Sequence, residues 1–230
     1  MTDSIAKLSS EKTGIYQNVI CKRDLDALNS SNFQEQYNSI ASQDPYLRNI
    51  NNIKLRTHFI LHYFDISYAL LKNLNESQKV KCCFMGVRHG TVASVISNLR
   101  KENVESFFLI DNFKDINGFD IIQNTKNNLN SNTNGKFKLY FIKGFLPEAI
   151  NDLSEDKFNF LHINLGDPTW EIESFKKFIP KLSSYSVCII DNYGFYPKEK
   201  RKELRNLLEE KKIYYTELPT LQICIMSDLN

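Results

Sequence analysis

The segment Val80-Lys81-Cys82-Cys83-Phe84-Met85-Gly86-Val87-Arg88-His89-Gly90-Thr91 constrains the fold of this chain more than any other. An apolar run of strand length ends at Gly86, a second glycine follows at Gly90, and Thr91-Val92-Ala93-Ser94-Val95-Ile96 opens a helix-like run. Strand, glycine turn and helix in that order bring backbone N–H groups to the mouth of a parallel sheet, where α/β proteins hold nucleotide-like ligands. Such a site calls for an acid at the end of the next strand, to take ribose hydroxyls. Ser106-Phe107-Phe108-Leu109-Ile110 supplies the strand and Asp111 the acid, about 25 residues beyond Gly86. The glycines alone would suit a strand–helix turn that binds nothing. Their combination with Asp111 favours a ligand.

Spacing separates two ligand classes. The dinucleotide fingerprint is G-x-G-x-x-G, whose second glycine lets a pyrophosphate approach the backbone. Here the pattern is G-x-x-x-G, with Val87 near that place. This argues against NAD and for a ligand without a diphosphate, such as S-adenosylmethionine.

From Lys79 onward apolar strand-length runs alternate with helical patterns, as in a parallel α/β sheet. Strands are predicted at 80–85, 106–110, 137–142, 158–163 and 187–190. Helices are predicted at 91–101, 118–129, 147–153, from after Pro168-Thr169 to about Leu182, and 198–211, with the Asn-rich run 127–135 as a turn. The end differs: 214–218 and 221–226 are strands joined by so short a connection that they must be antiparallel. The expected fold is therefore α/β, a doubly wound, mostly parallel, Rossmann-like sheet that ends in an antiparallel hairpin. Upstream, residues 1–75 read as a tail or lid followed by helices packed on the core, and 76–230 as the ligand-binding core. Leu47 through Leu74 carry a helical apolar stripe. His58 and His62 sit four apart on it without a Glu or Cys partner in the motif, and read as packed side chains rather than a metal pair.

Composition narrows the partners. A formal charge of +2 over 230 residues gives no reason to expect nucleic acid or a membrane surface. Lys198-Glu199-Lys200-Arg201-Lys202 is interrupted by acid and suits the solvated face of a helix. Five cysteines, in apolar runs and without C-x-x-C spacing, imply neither a disulfide framework nor a metal pair. With no apolar signal core at the N-terminus and no run near the roughly 20 residues of a membrane span, the expectation is a cytoplasmic protein. A homo-oligomer is left open.

Ligands of open α/β sheets bind at the carboxyl ends of the strands. Those ends carry Gly86, Asp111, Lys143-Gly144, Asn164-Leu165-Gly166-Asp167 and Asp191-Asn192-Tyr193. Phe158 to Asn164 and Val187 to Gly194 resemble the corresponding stretches of the macrocin O-methyltransferase family. Gly86 to Gly90, Asp111-Asn112-Phe113 and Ile142-Lys143-Gly144-Phe145-Leu146-Pro147 resemble its glycine, second and third motifs. The resemblance covers residues 80 to 195. It implies a class I methyltransferase fold and S-adenosylmethionine as cofactor, contacted by Gly86, Val87, Arg88, Gly90, Asp111, Asn112, Gly144 and Asn164. It also implies a small hydroxylated acceptor, such as a sugar or natural product. Magnesium is implied too, with Asn164, Asp191 and Asn192 as its ligands, the last two matching the catechol type as they stand.

The chain departs from that pattern. Asn164 stands for the family's strand-four aspartate, Gly166 for the following acid, Pro168 for a tyrosine, and Phe84 for an acid of the glycine motif. An amide can offer oxygen to magnesium but cannot remove a proton. The base would then be Asp167 or His162, with Asp191 as a further catalytic carboxylate. Asp167-Pro168-Thr169 equally suits a plain helix start, with Asp167 as cap. Three readings follow: a magnesium-assisted O-methyltransferase, the same enzyme without metal, and a non-catalytic or partner-dependent domain that keeps the fold.

Overall fold

A computed structural model of the chain describes residues 79–100, 104–115, 117–133, 137–154, 157–217 and 223–228. The expected N-terminal lid, the 46–74 stripe, and His58 and His62 lie outside these residues. The described part falls into two compact units. One holds 79–87, 104–112 and the residues from 137 onward; the other holds 88–100 and 113–133.

The first unit is a seven-stranded sheet in the order β3-β2-β1-β4-β5-β7-β6. The strands are β1 (Val80–Met85), β2 (Val104–Asp111), β3 (Lys138–Lys143), β4 (Phe158–Ile163), β5 (Leu182–Ile190), β6 (Tyr214–Glu217) and β7 (Ile223–Asp228). The first five pair in parallel, and β7 runs antiparallel between β5 and β6. This is the predicted doubly wound sheet with its antiparallel hairpin. Strand order reverses between β1 and β4, which makes their carboxyl ends the switch point of the sheet.

The strands are near-continuous apolar runs because a central parallel sheet is buried on both faces. Alternate residues divide between those faces. Cys83, Met85, Ile110, Leu161, Ile163, Cys188 and Ile190 join one core with Ile172, Phe175 and Phe178 of helix α3 (Pro168–Phe178) and Leu204 and Leu208 of helix α4 (Lys198–Glu210). Phe84, Phe107, Phe160 and His162 point the other way; the Phe84 ring lies 4.8 Å from Phe107 and 5.8 Å from Phe160. Cys82, Cys83 and Cys188 are buried free thiols, and burial pushes Cys82 and Cys83 far above the usual thiol range. They are core residues.

The second unit contains helices α1 (Thr91–Arg100) and α2 (Ile122–Thr133). Here the sequence expectation needs correcting. The Asn-rich run, expected to be a turn, is helical through Thr133. Tertiary contacts override its poor propensity. Leu129 is fully buried, and its side chain comes so close to Gly90 that a β-carbon there would lie 3.2 Å from it. Asn128 Nδ2 donates to the His89 carbonyl at 3.1 Å, and Thr125 Oγ1 to that of Arg88 at 2.7 Å. Strand β5 likewise starts five residues before its predicted first residue, because Tyr185 and Ser186 pair with Asp228 and Ser227 of β7. Among the described residues no helix is long and apolar enough to cross a membrane.

Gly86 and Gly166 offer a controlled comparison. Both have positive φ, +78° and +76°, but a β-carbon on Gly86 would lie 1.8 Å from the Asn164 carbonyl oxygen, whereas Gly166 faces open space. Gly86→Ala should cost ~3 kcal/mol or more, combining backbone strain with forced displacement of β4. Gly166→Ala should cost about 1–2 kcal/mol, the strain alone. Urea denaturation of the two variants measures the difference; equal losses would mean that the ends of β1 and β4 do not touch.

Candidate functional site

The carboxyl edge of the sheet is built by continuing the parallel ladder one residue past each strand. Gly144 N–H donates to the Asp111 carbonyl (3.0 Å), Gly86 N–H to Ile110 (3.1 Å), Asn164 N–H to Met85 (2.9 Å) and Asp191 N–H to Ile163 (2.9 Å). These bonds bring Gly86, Asp111, Gly144, Asn164 and Asp191, all expected site residues, to one edge. Asp111 and Asn112 are half-buried there, and Val87 is buried. Arg88, exposed and at φ +49°, and Gly90 belong to the other unit, where their turn receives the hydrogen bonds from α2.

Strand register explains the next layer. His162 pairs with Ile189 and Ile163 with Ile190, so Asn164 comes level with Asp191, and His162 lies two residues back on the same face. Asn164 Nδ2 donates to Asp191 Oδ2 at 2.9 Å, and His162 Nε2 lies 3.1 Å from the same oxygen. Nε2 donates in this contact in the tautomer that carries its hydrogen there. Asn192 Nδ2 reaches Asn164 Oδ1 at 3.4 Å, from a residue in the left-handed region at φ +57°. The result is a chain Asn192–Asn164–Asp191–His162, buried at the histidine end (His162 2%, Asp191 4% exposed) and open at Asn192.

As they stand, Asn164, Asp191 and Asn192 bond to one another, which does not support the expected magnesium at these residues. Magnesium needs converging oxygens. Asn164 instead turns its NH₂ toward Asp191, and its oxygen is already approached by the Asn192 amide. Among the described residues, no group of three or more His, Cys, Asp or Glu side chains is gathered for a metal.

Asp167 is the N-cap of α3. Its Oδ1 accepts from Thr169 N at 2.8 Å and Trp170 N at 3.1 Å, with Pro168 opening the helix. Its side chain therefore has the helix-start role that the sequence allowed, on an exposed residue.

Two residues that the sequence did not single out complete the edge. Glu171, 1% exposed, accepts at Oε1 from Leu165 N (2.7 Å) and Gly166 N (3.0 Å), and at Oε2 from the Tyr196 hydroxyl. Burial raises its pKa to about 7; the three hydrogen bonds pull it down and Asp191 pushes it up. Tyr196 is itself buried and pushed far above the ordinary phenol range by burial and by Glu171. A signal existed. Glu171 lies on one stripe with Phe175 and Phe178, a charged residue at a core position of an amphipathic helix.

No protein-family model matches the sequence, and no curated protein does, so the macrocin-type resemblance rests on the motifs alone. Solved structures do match. SAH-bound PaMTH1, a methyltransferase of Podospora anserina, aligns with a TM-score of 0.60 at 11% identity, over 98% of this chain and 95% of its own. The O-methyltransferase NovP aligns with a TM-score of 0.58 at 9% identity, over 74% and 80%. CalS11, a TDP-rhamnose 3'-O-methyltransferase of calicheamicin biosynthesis, aligns with a TM-score of 0.56 at 14% identity, over 88% and 96%. At such identities the likeness establishes the fold, that of class I methyltransferases.

Two stability measurements check this geometry. Asp167→Ala should cost about 1 kcal/mol through the lost cap, and Asp167→Asn much less; equal losses would remove the capping role. For Glu171, the folded state holds a proton more tightly than the unfolded chain, whose glutamate titrates near 4.5. The stability it contributes is full below that pH and is lost as pH rises through about 7. Glu171→Gln mimics the protonated form, so the variant should gain on wild type between pH 5 and pH 8 by on the order of 3 kcal/mol. A difference that stays constant with pH would mean that Glu171 ionises like an exposed glutamate.

Proposed function

We propose that this protein is an S-adenosylmethionine-dependent O-methyltransferase acting on a hydroxyl of a small molecule. The observation that carries the reading is the edge itself: Gly86 at the switch point, Asp111 at the end of the adjacent strand, and the Asn164–Asp191–His162 chain across from them. The fold shared with NovP, CalS11 and SAH-bound PaMTH1 supports it. Asp111 and Asn112 suit the ribose hydroxyls, and the G-x-x-x-G turn suits a ligand without pyrophosphate.

When bound, the cofactor supplies an electrophilic methyl group on a sulfonium. The protein has to hold an acceptor oxygen in line with it and take the hydroxyl proton. In this reading Asp191 accepts that proton, and His162 behind it and Asn164 beside it hold the carboxylate in place and stabilise its charge. A methyl–oxygen bond forms as the sulfur–methyl bond breaks, leaving a methyl ether and S-adenosylhomocysteine. Phe145, Trp170 and Phe195 are exposed on segments that follow β3, β4 and β5, and offer an acceptor apolar surface beside its hydroxyl.

Calorimetric titration tests the cofactor. S-adenosylhomocysteine should bind and raise the melting temperature, while NAD should do neither. Asp111→Ala should weaken binding by about 1.5–3 kcal/mol for each hydrogen bond lost to the charged acceptor. Binding of NAD without S-adenosylhomocysteine would overturn the reading. Tight S-adenosylhomocysteine binding with no methyl transfer to a panel of hydroxylated acceptors would favour a non-catalytic domain.

A further inference from the structure

Glu171 is costly where it stands. A carboxyl group at a core position of α3 loses its hydration, and a leucine there would extend the stripe of Phe175 and Phe178. What it does with its two oxygens is specific. Oε1 takes both N–H groups of Leu165 and Gly166, the two residues that follow Asn164. Gly166, with positive φ and open space around it, would otherwise leave this stretch many conformations. Oε2 takes the hydroxyl of Tyr196, at the far end of the loop that begins with Asp191 and Asn192. That loop has a second fastening. Tyr193 donates to Glu217 Oε1 on β6 at 2.8 Å, and Arg205 of α4 lies 3.7 Å from the same oxygen.

We propose that Glu171 is a positioning residue, holding the loop after β4 by its backbone and tying it through Tyr196 to the loop after β5. It thereby fixes the two loops against each other just beyond Asn164 and Asp191, which the strand ladder already places. A buried side chain that only filled the core would need neither a second oxygen nor a partner on another loop. The titratable groups that face Glu171 are Tyr196 and Asp191, both from the segment after β5, with Cys188 acting on Tyr196 from β5 itself. What the two loops bind rests on the proposed function; the tie between them does not.

The test uses the full chain and two readouts. Hydrogen–deuterium exchange reads the loops directly, and titration with S-adenosylhomocysteine reads the site. Glu171→Ala should speed exchange at Leu165 and Gly166 at least tenfold and weaken S-adenosylhomocysteine at least fivefold. Glu171→Gln keeps an oxygen for the two N–H groups and should restore both to within twofold of wild type. Tyr196→Phe leaves the Leu165 and Gly166 bonds in place, and should speed exchange only in 192–196. A folded Glu171→Ala protein with unchanged exchange at 165–166, or with unchanged S-adenosylhomocysteine affinity, overturns the proposal. If Glu171→Ala does not fold, Tyr196→Phe decides: unaltered exchange in 192–196 sinks the tie. Should wild type not bind S-adenosylhomocysteine at all, the proposed function fails, and the exchange results still decide whether Glu171 holds the loops.

Discussion

Four backbone hydrogen bonds, each one residue beyond a strand, govern the carboxyl edge of the sheet: Gly144 to Asp111, Gly86 to Ile110, Asn164 to Met85 and Asp191 to Ile163. Parallel strands normally splay where their connections leave. Here the ladder persists across β3, β2, β1, β4 and β5, and the first loop residues inherit strand spacing. That spacing is tight at the switch point. The Asn164 carbonyl fills the volume that a side chain at Gly86 would need, so the two central strands can end together only with glycine at one of them.

The extended ladder makes side-chain chemistry possible by register alone. Asn164 and Asp191 become cross-strand neighbours, and His162 is within reach of the same carboxylate because alternate residues share a face. Replacing a carboxylate with Asn164 changes what this neighbourhood can hold. Two carboxylates side by side repel one another and invite a cation. One carboxylate beside an amide and an imidazole forms a donor–acceptor chain on a single carboxylate oxygen. In the proposed function this chain serves proton handling at Asp191.

How much of this was legible in the sequence follows from the range of each interaction. Strands β1 to β5 were readable because burial on both faces makes each one an apolar run, and the hairpin because its connection is short. Gly86, Asp111, Asn164 and Asp191 were readable because strand ends are local events. The helical Asn run was not: Leu129, Asn128 and Thr125 depend on the turn at Arg88–Gly90, about 40 residues earlier in the chain. The start of β5 depends on β7, later still in the chain. Asp167 was ambiguous because a cap and a base use the same residue type at the same place. Glu171 was missed because its partners are backbone groups, which carry no sequence signature, and a tyrosine beyond the next strand.

The edge therefore has two halves built by different means. Around β1, β2 and β3 the positions are set by main chain and by glycines, and the side chains at Asp111 and Asn112 are added to a frame that exists without them. Around β4 and β5 the main-chain frame is the same, but the loops beyond it are set by side chains: Asp167 on the helix start, Glu171 on Leu165 and Gly166, Tyr196 on Glu171, Tyr193 on Glu217. A frame of main-chain bonds suits an invariant ligand, because few substitutions can move it. A frame of side-chain bonds is open to change one residue at a time. In the proposed function the cofactor would lie over the first half and reach Asn164 at the start of the second, with the acceptor against the loops beyond. Specificity for the acceptor would then reside in residues that alter the loops without disturbing the sheet.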